Sequence, residues 1–209
     1  MRRFVAALLL TVFLSLLSLP SHAERLKEAA VDYTADSVME SGGIKTSSKV
    51  YRSGKLARID QMTDGAIDQT LILRGEGKKV IVLMPLMQMY MEVEADALGS
   101  ALYDPDEMDY TLSFEGRETI SGVSTARHRM TALAKDGKRF EGRLWLTQED
   151  IMFKIEATST ATVKGKPERV TMELSNLKTG PLRRSLFEVP AGYTKMKAIG
   201  DNGRKDKVK

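Results

Sequence analysis

The chain has 209 residues, with 32 Lys and Arg against 28 Asp and Glu, and a formal net charge of +4. This length fits one domain, or two small ones, with a sizeable core, and 42% hydrophobic with 29% charged residues is typical of a globular protein. The lack of cysteine excludes disulfides, thiolate metal sites and cysteine nucleophiles.

Residues 1–23 have the pattern of a secretory signal peptide. A basic start precedes an uncharged, mostly apolar stretch from Phe4 to Leu19, and small residues precede a cleavage point between Ala23 and Glu24. The apolar stretch is shorter than the roughly 20 residues that a membrane span needs. No cysteine follows it, so lipoprotein acylation is excluded. We therefore expect a periplasmic protein, secreted through a cleaved signal peptide.

The positive charge is concentrated outside the predicted domain, which we assign to residues 24–194. Residues 195–209 contain six basic and two acidic residues, whereas residues 24–194 have a net charge of −2. We expect 195–209 to be a disordered basic tail that either contacts anionic lipid headgroups or only increases solubility. A nearly neutral domain does not support nucleic-acid binding.

Alternating apolar and polar residues predict a β-strand between Val31 and Glu40, and Gly42-Gly43 predicts the turn that follows it. Further strands are predicted at residues 44–51, 55–61, 68–74, 78–84, 87–93, 110–115, 124–132, 139–146, 151–160 and 168–177. Turn residues, including Gly116 and Gly122, separate them. Short strands joined by such turns indicate successive antiparallel hairpins.

Residues 94–103 break the alternation. Ala95, Leu98 and Leu102 recur at helical spacing, and Asp104-Pro105 ends the predicted helix. Ten or eleven strands are about the limit of an open twisted sheet, so the sheet must curve. The predicted fold class is mainly β (α+β), with a curved antiparallel sheet that forms an unclosed half-barrel covered by one or a few short helices. Its concave apolar face requires a helix or a ligand to cover it.

The strongest local bias is a methionine-rich stretch. On a strand, Met87, Met89, Met91 and Val93 share one face. Because methionine adapts to variable apolar ligands, we predict that this stretch forms one wall of an acyl-chain cavity. The candidate cavity residues are Leu83, Met84, Met87, Met89, Met91, Val93 and Leu98. The alternatives are an ordinary core strand and a cuprous-ion site, although sulfurs about 6–7 Å apart are far for one metal.

The candidate catalytic and metal-binding groups lack partners. His128 is the only histidine after the predicted cleavage point, and no nucleophile motif accompanies it. The acidic residues 104–109 lack the spacing and the glycine of a calcium loop. Trp145 is interpreted as a packing residue. We predict no enzyme activity, no metal and no cofactor.

Several short phrases, in this order along the chain, resemble a known family. They include YTADSVMESGG at 33–43, ARID at 57–60, KVIVLMP at 79–85, GRETISGV at 116–123, LWLT at 144–147 and LFEVPAGY at 186–193. The sequence resembles a periplasmic family of unknown function in the outer-membrane lipoprotein-sorting group, the LolA/LolB-like lipoprotein carriers. The resemblance implies an unclosed antiparallel barrel around one or more short helices. It also implies a cavity that receives lipoprotein acyl chains or senses envelope components, without assigning residues.

The residues and the resemblance together predict an exported binding protein that is not an enzyme. Its expected partner is an acyl chain, a lipoprotein or another apolar envelope component, held in the concave cavity. The alternative is an envelope protein-interaction or stress-sensor module without lipid transfer. Copper handling by the methionine-rich strand is the third hypothesis.

Overall fold

The computed structural model describes residues 26–75, 79–94, 108–134, 137, 139–163 and 166–196, with the backbone alone for 160–163 and 166. Several predictions lie outside these residues. They are the signal peptide with its Ala23–Glu24 cleavage point, residues 95–103 of the predicted helix with Leu98, and the tail beyond Met196. Within the described residues, no helix has the length and apolar character needed to cross a membrane.

The described chain is built almost entirely from β-strands. The strands are β1 Tyr33–Ser41, β2 Ile44–Ser53, β3 Leu56–Thr63, β4 Ala66–Arg74, β5 Lys79–Met84, β6 Met89–Glu94, β7 Met108–Ile120, β8 Val123–Ala134, β9 Arg139–Leu146, β10 Met152–Val163, β11 Lys166–Thr179 and β12 Thr194–Lys195. Two short 3-10 helices, Pro85–Met87 and Arg184–Phe187, occur in this part of the chain.

All twelve strands belong to one sheet, in the order β12-β6-β5-β4-β3-β2-β1-β11-β10-β9-β8-β7. Neighbouring strands are antiparallel except β12, which is parallel to β6. The first strand pairs with β11, far along the chain, and thereby joins a half formed by β2–β6 and β12 to a half formed by β7–β10. The outer strands β7 and β12 do not pair, so the predicted unclosed half-barrel is confirmed.

The hairpins follow the predicted turns, with one correction. Gly42 and Gly43 join β1 to β2 with φ angles of +58° and +80°, which favour glycine. Gly116, predicted to separate two strands, lies inside β7 instead. The register of β7 against β8 shifts between Phe114 and Gly116, and Gly116 has a φ of +153°. The glycine therefore forms a β-bulge that bends a continuous strand.

The concave face carries most of the core. Near β7–β11, a buried cluster includes Met108, Met130, Leu144 and Ile155, with Leu26 from the N-terminal segment packed into it. Near β3–β6, a second buried cluster contains Ile59, Leu71, Val80 and Val82. Both clusters follow from the alternation of each strand, because alternate side chains point to the same face.

The outer face of β3–β5 is covered by residues 180–193, which we call the C-terminal strap. The strap starts at Gly180, whose amide donates to Asp32 O at 3.0 Å. Its Phe187 is 2% exposed and packs against Ile72, Ile81 and Leu83. Both faces of this part of the sheet are therefore buried.

The strap continues into β12 at the edge of the sheet. Arg74 Nε donates to Phe187 O at 3.0 Å, and Arg58 Nη1 donates to Leu186 O at 3.2 Å. Lys195, in β12, pairs with the backbone of β6 and lies 2.9 Å from Glu92. The sheet therefore includes the first residue of the segment predicted as a tail.

Candidate functional site: the concave cavity

A cavity of about 140 Å³ lies on the concave face at the centre of the sheet. Strands β1, β2, β3, β9, β10 and β11 contribute to its walls, and the N-terminal segment 26–32 contributes Leu26 and Ala29. Its apolar lining includes Met39, Val50, Ile59, Met152, Met172 and Leu174. The junction of β1 with β11 therefore creates the cavity as well as the continuous sheet.

The strand register arranges the concave side chains in rows that cross the strands. The first row is apolar throughout and contains Ala35, Val50, Ile59, Leu71, Val82 and Met91, one from each of six neighbouring strands. With strands roughly 4.8 Å apart, this apolar row is about 24 Å long along the curved sheet. It connects the cavity to the methionine-rich strand β6.

A second row, parallel to the first, is polar and uncharged. Ser37 pairs with Ser48, Ser48 with Gln61, and Gln61 with Gln69, from β1 to β4. The first three of these residues line the cavity. The concave face therefore offers hydrocarbon contacts and hydrogen-bonding groups side by side, in rows about 6–7 Å apart.

Charged groups occupy one end of the cavity. Arg52, Lys27, Glu28 and Asp150 line this end, together with the phenol of Tyr33, the cross-strand partner of Arg52. Burial raises the pKa of the Tyr33 phenol, and the charge of Arg52 opposes that rise. The phenol therefore stays neutral at physiological pH and can donate a hydrogen bond.

The predicted cavity residues divide between the two faces. Val82 and Met91 are cross-strand partners, as are Val80 and Val93, and all four belong to the concave cluster of β3–β6. Met84 pairs with Met89 on the same face. Leu83, in contrast, points to the outer face beneath Phe187 and is 1% exposed.

Met87 does not lie on the strand predicted for residues 87–93. That strand begins at Met89, and Met87 belongs to the 3-10 helix before it, with 61% of its surface exposed. Pro85 starts this helix, and Gln88 ends it in the left-handed conformation, which turns the chain into β6. The row of three methionines that the copper hypothesis requires is therefore not formed.

Sequence reasoning missed the methionines that line the cavity, which are Met39, Met152 and Met172. Met39 belongs to the predicted alternation of β1, so its concave orientation could have been found. Its proximity to Met172 could not, because the two residues are cross-strand partners only through the β1–β11 pairing.

The outer face of β7–β10 carries a group of ion pairs. Glu115, next to the bulge, accepts hydrogen bonds from Arg143 Nε at 2.9 Å and from Arg129 Nε at 3.1 Å. Trp145 is buried, donates its indole N–H to Glu118 and lies under Lys154 Nζ, which is 5.2 Å from the ring centroid. These contacts give Trp145 the packing role predicted for it.

His128 has no catalytic arrangement around it in the described residues. Its Nδ1 lies 3.1 Å from Ala126 O, and its ring meets Phe114 edge-on at 5.7 Å. The described residues also contain no group of three or more His, Asp or Glu side chains that could hold a metal ion.

A family model described as "Domain of unknown function (DUF4412)" matches residues 34–159. No curated protein matches the chain. The family match covers β1 from its second residue, β2 to β9, and β10 as far as Ser159. The sequence resemblance predicted a family of unknown function, and this prediction is confirmed.

Several solved structures are similar to this chain at low sequence identity. The crystal structure of MucB is 20% identical, with a TM-score of 0.50, and the match covers 80% of this chain and 61% of that one. A DUF1329 family protein from Desulfovibrio piger has 16% identity, a TM-score of 0.41 and coverage of 76% and 90%. A putative outer membrane lipoprotein-sorting protein domain from Vibrio parahaemolyticus has 7% identity, a TM-score of 0.41 and coverage of 77% and 91%. This chain thus spans about three fifths of the length of MucB.

Proposed function

We propose that this chain, which belongs to the DUF4412 family of unknown function, is a binding protein that holds an acyl chain on its concave face. The observation that carries the proposal is the apolar row that runs from the central cavity to Met91 without a polar interruption. The same hydrocarbon contacts would accept the acyl part of a lipoprotein or another apolar envelope component.

Burial of hydrocarbon supplies the affinity in this proposal. Each CH₂ group removed from water contributes about 0.8 kcal/mol, so a chain of several carbons binds usefully without any charged contact. The cavity of about 140 Å³ is smaller than the roughly 300–1,000 Å³ typical of ligand pockets. A long chain therefore has to displace part of the N-terminal segment, where Leu26 packs into the concave cluster of β7–β11. It also has to open the apolar row itself, because Ile59, Leu71 and Val82 are already buried.

The proposed site of action is the periplasm, where the sequence predicts that a cleaved signal peptide delivers the protein. Acyl chains and lipoproteins are available in the envelope, so location and ligand are consistent. The proposed role is binding without catalysis. The basic residues of 197–209 would add a peripheral contact with anionic lipid.

A pair of matched substitutions tests whether the cavity binds the chain. Val50 lines the cavity, whereas Val38 lies on the outer face and is 38% exposed. Val50→Phe fills the cavity, so we expect at least a tenfold loss of affinity for a fluorescent fatty-acyl probe, and Val38→Phe should leave affinity unchanged. Fluorescence titration measures both, and urea unfolding checks that each variant is folded.

Protein purified from the periplasm provides an independent test. Native mass spectrometry should detect a bound acyl-containing molecule that lipid extraction removes. The proposal would be overturned by protein that is free of lipid and also fails to bind fatty-acyl probes, or by equal affinities of the two phenylalanine variants.

A second candidate function is contact with an envelope protein without lipid transfer. The observation that favours it is the exposed turn before β6, where Leu86 is 86% exposed next to Met87. If this function is correct, Leu86→Ser with Met87→Ser should abolish binding of a defined partner and leave binding of acyl probes intact. Loss of probe binding in that variant would contradict it.

A further inference from the structure

The concave face is not uniformly apolar, and its polar row restricts what it can bind. We infer that Ser37, Ser48 and Gln61 form a subsite for a neutral ester or amide group attached to the hydrocarbon chain. This inference rests on the proposed function, because it assumes that the adjacent apolar row holds the chain. It specifies the ligand as an uncharged acyl ester or acyl amide, in contrast to a hydrocarbon or a fatty-acid anion.

The first argument is alignment. Ser37, Ser48 and Gln61 are directly paired across β1, β2 and β3, and all three line the cavity. Directly paired side chains lie about 4.5–5.5 Å apart on the same face. Three hydrogen-bonding groups therefore form one continuous strip beside Val50 and Ile59.

The second argument is that these groups are available. Within the described chain, the side chains of Ser37, Ser48 and Gln61 make no hydrogen bond to another residue. Ser37 is nevertheless buried, with 7% of its surface exposed. A purely apolar ligand laid across the strip would remove these groups from water without compensation, so it would bind less tightly than a ligand that forms hydrogen bonds with them.

The third argument is charge. The three residues of the strip are neutral, and the charged groups that line the cavity lie at its other end. Arg52 is four residues beyond Ser48 on β2, about 13 Å along the strand. A carboxylate placed at the strip would therefore lose hydration without gaining a counter-ion. A carbonyl group instead accepts hydrogen bonds from serine hydroxyls and from the glutamine amide without a net charge to bury.

Displacement of a hydrocarbon probe separates this inference from the proposed function. Diphenylhexatriene reports binding to the apolar row, and the competitors are monodecanoylglycerol, N-decanoylglycinamide and decanoate at pH 8. In the unmodified protein, we expect the ester and the amide to displace the probe at concentrations about tenfold below that of decanoate. The two neutral competitors distinguish an ester source from an amide source.

The decisive variant combines Ser37→Ala, Ser48→Ala and Gln61→Met, which keep side-chain size and remove the polar groups. It should bind diphenylhexatriene at least as tightly and lose the preference for the neutral competitors. Ser47→Ala is the matched control, because Ser47 is next to Ser48 but faces the opposite side. If the triple variant does not fold, Gln61→Met alone replaces it in the test. This single variant should have a weaker preference for the neutral competitors than the unmodified protein.

Two results have distinct meanings. If the triple variant keeps the preference, or if the unmodified protein has none, the inference is wrong while acyl binding stands. If the unmodified protein binds neither the hydrocarbon probe nor any decanoyl compound, the proposed function is wrong and the inference is wrong with it.

Discussion

At the scale of single residues, local geometry decides which side chains meet. Glu115 reaches Arg129 and Arg143 from a position next to the bulge at Gly116. Gly142 permits a close approach of β9 to β10, because a Cβ at this position would lie 2.0 Å from Glu156 O. Sequence patterns identify neither feature, since both depend on the partner strand.

Glu115 leads to a prediction about pH. Hydrogen bonds from Arg143, then from Arg129, hold the pKa of Glu115 below its ordinary value of 4.5. Its stabilising contribution is therefore complete above pH 4.5 and is lost as the pH falls through the lowered pKa. We expect Glu115→Gln to be less stable than the unmodified protein at pH 7, and the difference to shrink towards pH 3.

Urea unfolding at a series of pH values measures this difference. Glu94→Gln is the control, because Glu94 has one lysine at 4.0 Å and both side chains are mostly exposed. A Glu115→Gln defect that stays constant from pH 7 to pH 3 would contradict the electrostatic explanation.

At the scale of elements, the C-terminal strap holds one end of the sheet. It buries Phe187 against β4 and β5, and two arginines bind its carbonyl oxygens. In the sequence, this segment has no strand or helix period, so its role was not predicted. The aromatic and apolar residues at 182–193 are the feature of the sequence that could have indicated that this segment packs against the sheet.

The strap leads to a prediction about stability. Phe187→Ala removes a side chain that is 2% exposed, and the strap cannot fill the space without moving away from Arg74. We expect a loss of about 3–5 kcal/mol in the free energy of unfolding, measured in urea. Leu86→Ala is the control, because Leu86 is 86% exposed and its truncation should cost less than about 0.5 kcal/mol. Equal effects would show that the strap does not contribute to the core.

At the scale of the whole molecule, β1 and β11 join two groups of strands into one unit. The pairing extends from Tyr33 opposite Thr179 to Ser41 opposite Val170. Leu174 and Ala35 are buried on either side of this junction, together with Phe153. Since the cavity lies at the same place, binding and cooperative folding depend on the same contacts.

The junction predicts a single unfolding transition. Trp145, the only tryptophan, reports on the half that contains β9, whereas far-ultraviolet circular dichroism reports on all strands. We expect both signals to have the same urea midpoint, and Leu174→Ala to lower both together, by about 2–5 kcal/mol in unfolding free energy. Fluorescence that changes at a lower urea concentration than circular dichroism would indicate two independently folding halves.

Much of the fold could be predicted because alternation is a local property. The strand at Arg139–Leu146 was predicted with its observed bounds, and most others differ by a few residues at their ends. The same period of two decides which face of β6 each side chain occupies. Met91 and Val93 point to one face, and Tyr90 and Glu92 point to the other. Met87 departs from it because Pro85 and the left-handed Gln88 form a turn there.

The candidate site was less accessible to sequence reasoning. Met91 of the methionine-rich strand does point to the concave face, as predicted from the period of two. The methionines that line the central cavity, however, are Met39, Met152 and Met172. Which residues form a cavity depends on which strands are neighbours, and that information is absent from any single stretch of sequence.

The sequence by itself determined the strand periodicity, the curved antiparallel class of fold, and the placement of the positive charge outside the nearly neutral residues 24–194. The tertiary structure alone decided that β1 lies beside β11, that Leu83 faces outward, and that Ser37, Ser48 and Gln61 form a continuous strip. The physical reason is range. Alternation is a pattern between residues two positions apart. Register and strand order instead depend on the burial of apolar faces and on backbone pairing between strands that are more than a hundred residues apart in the chain.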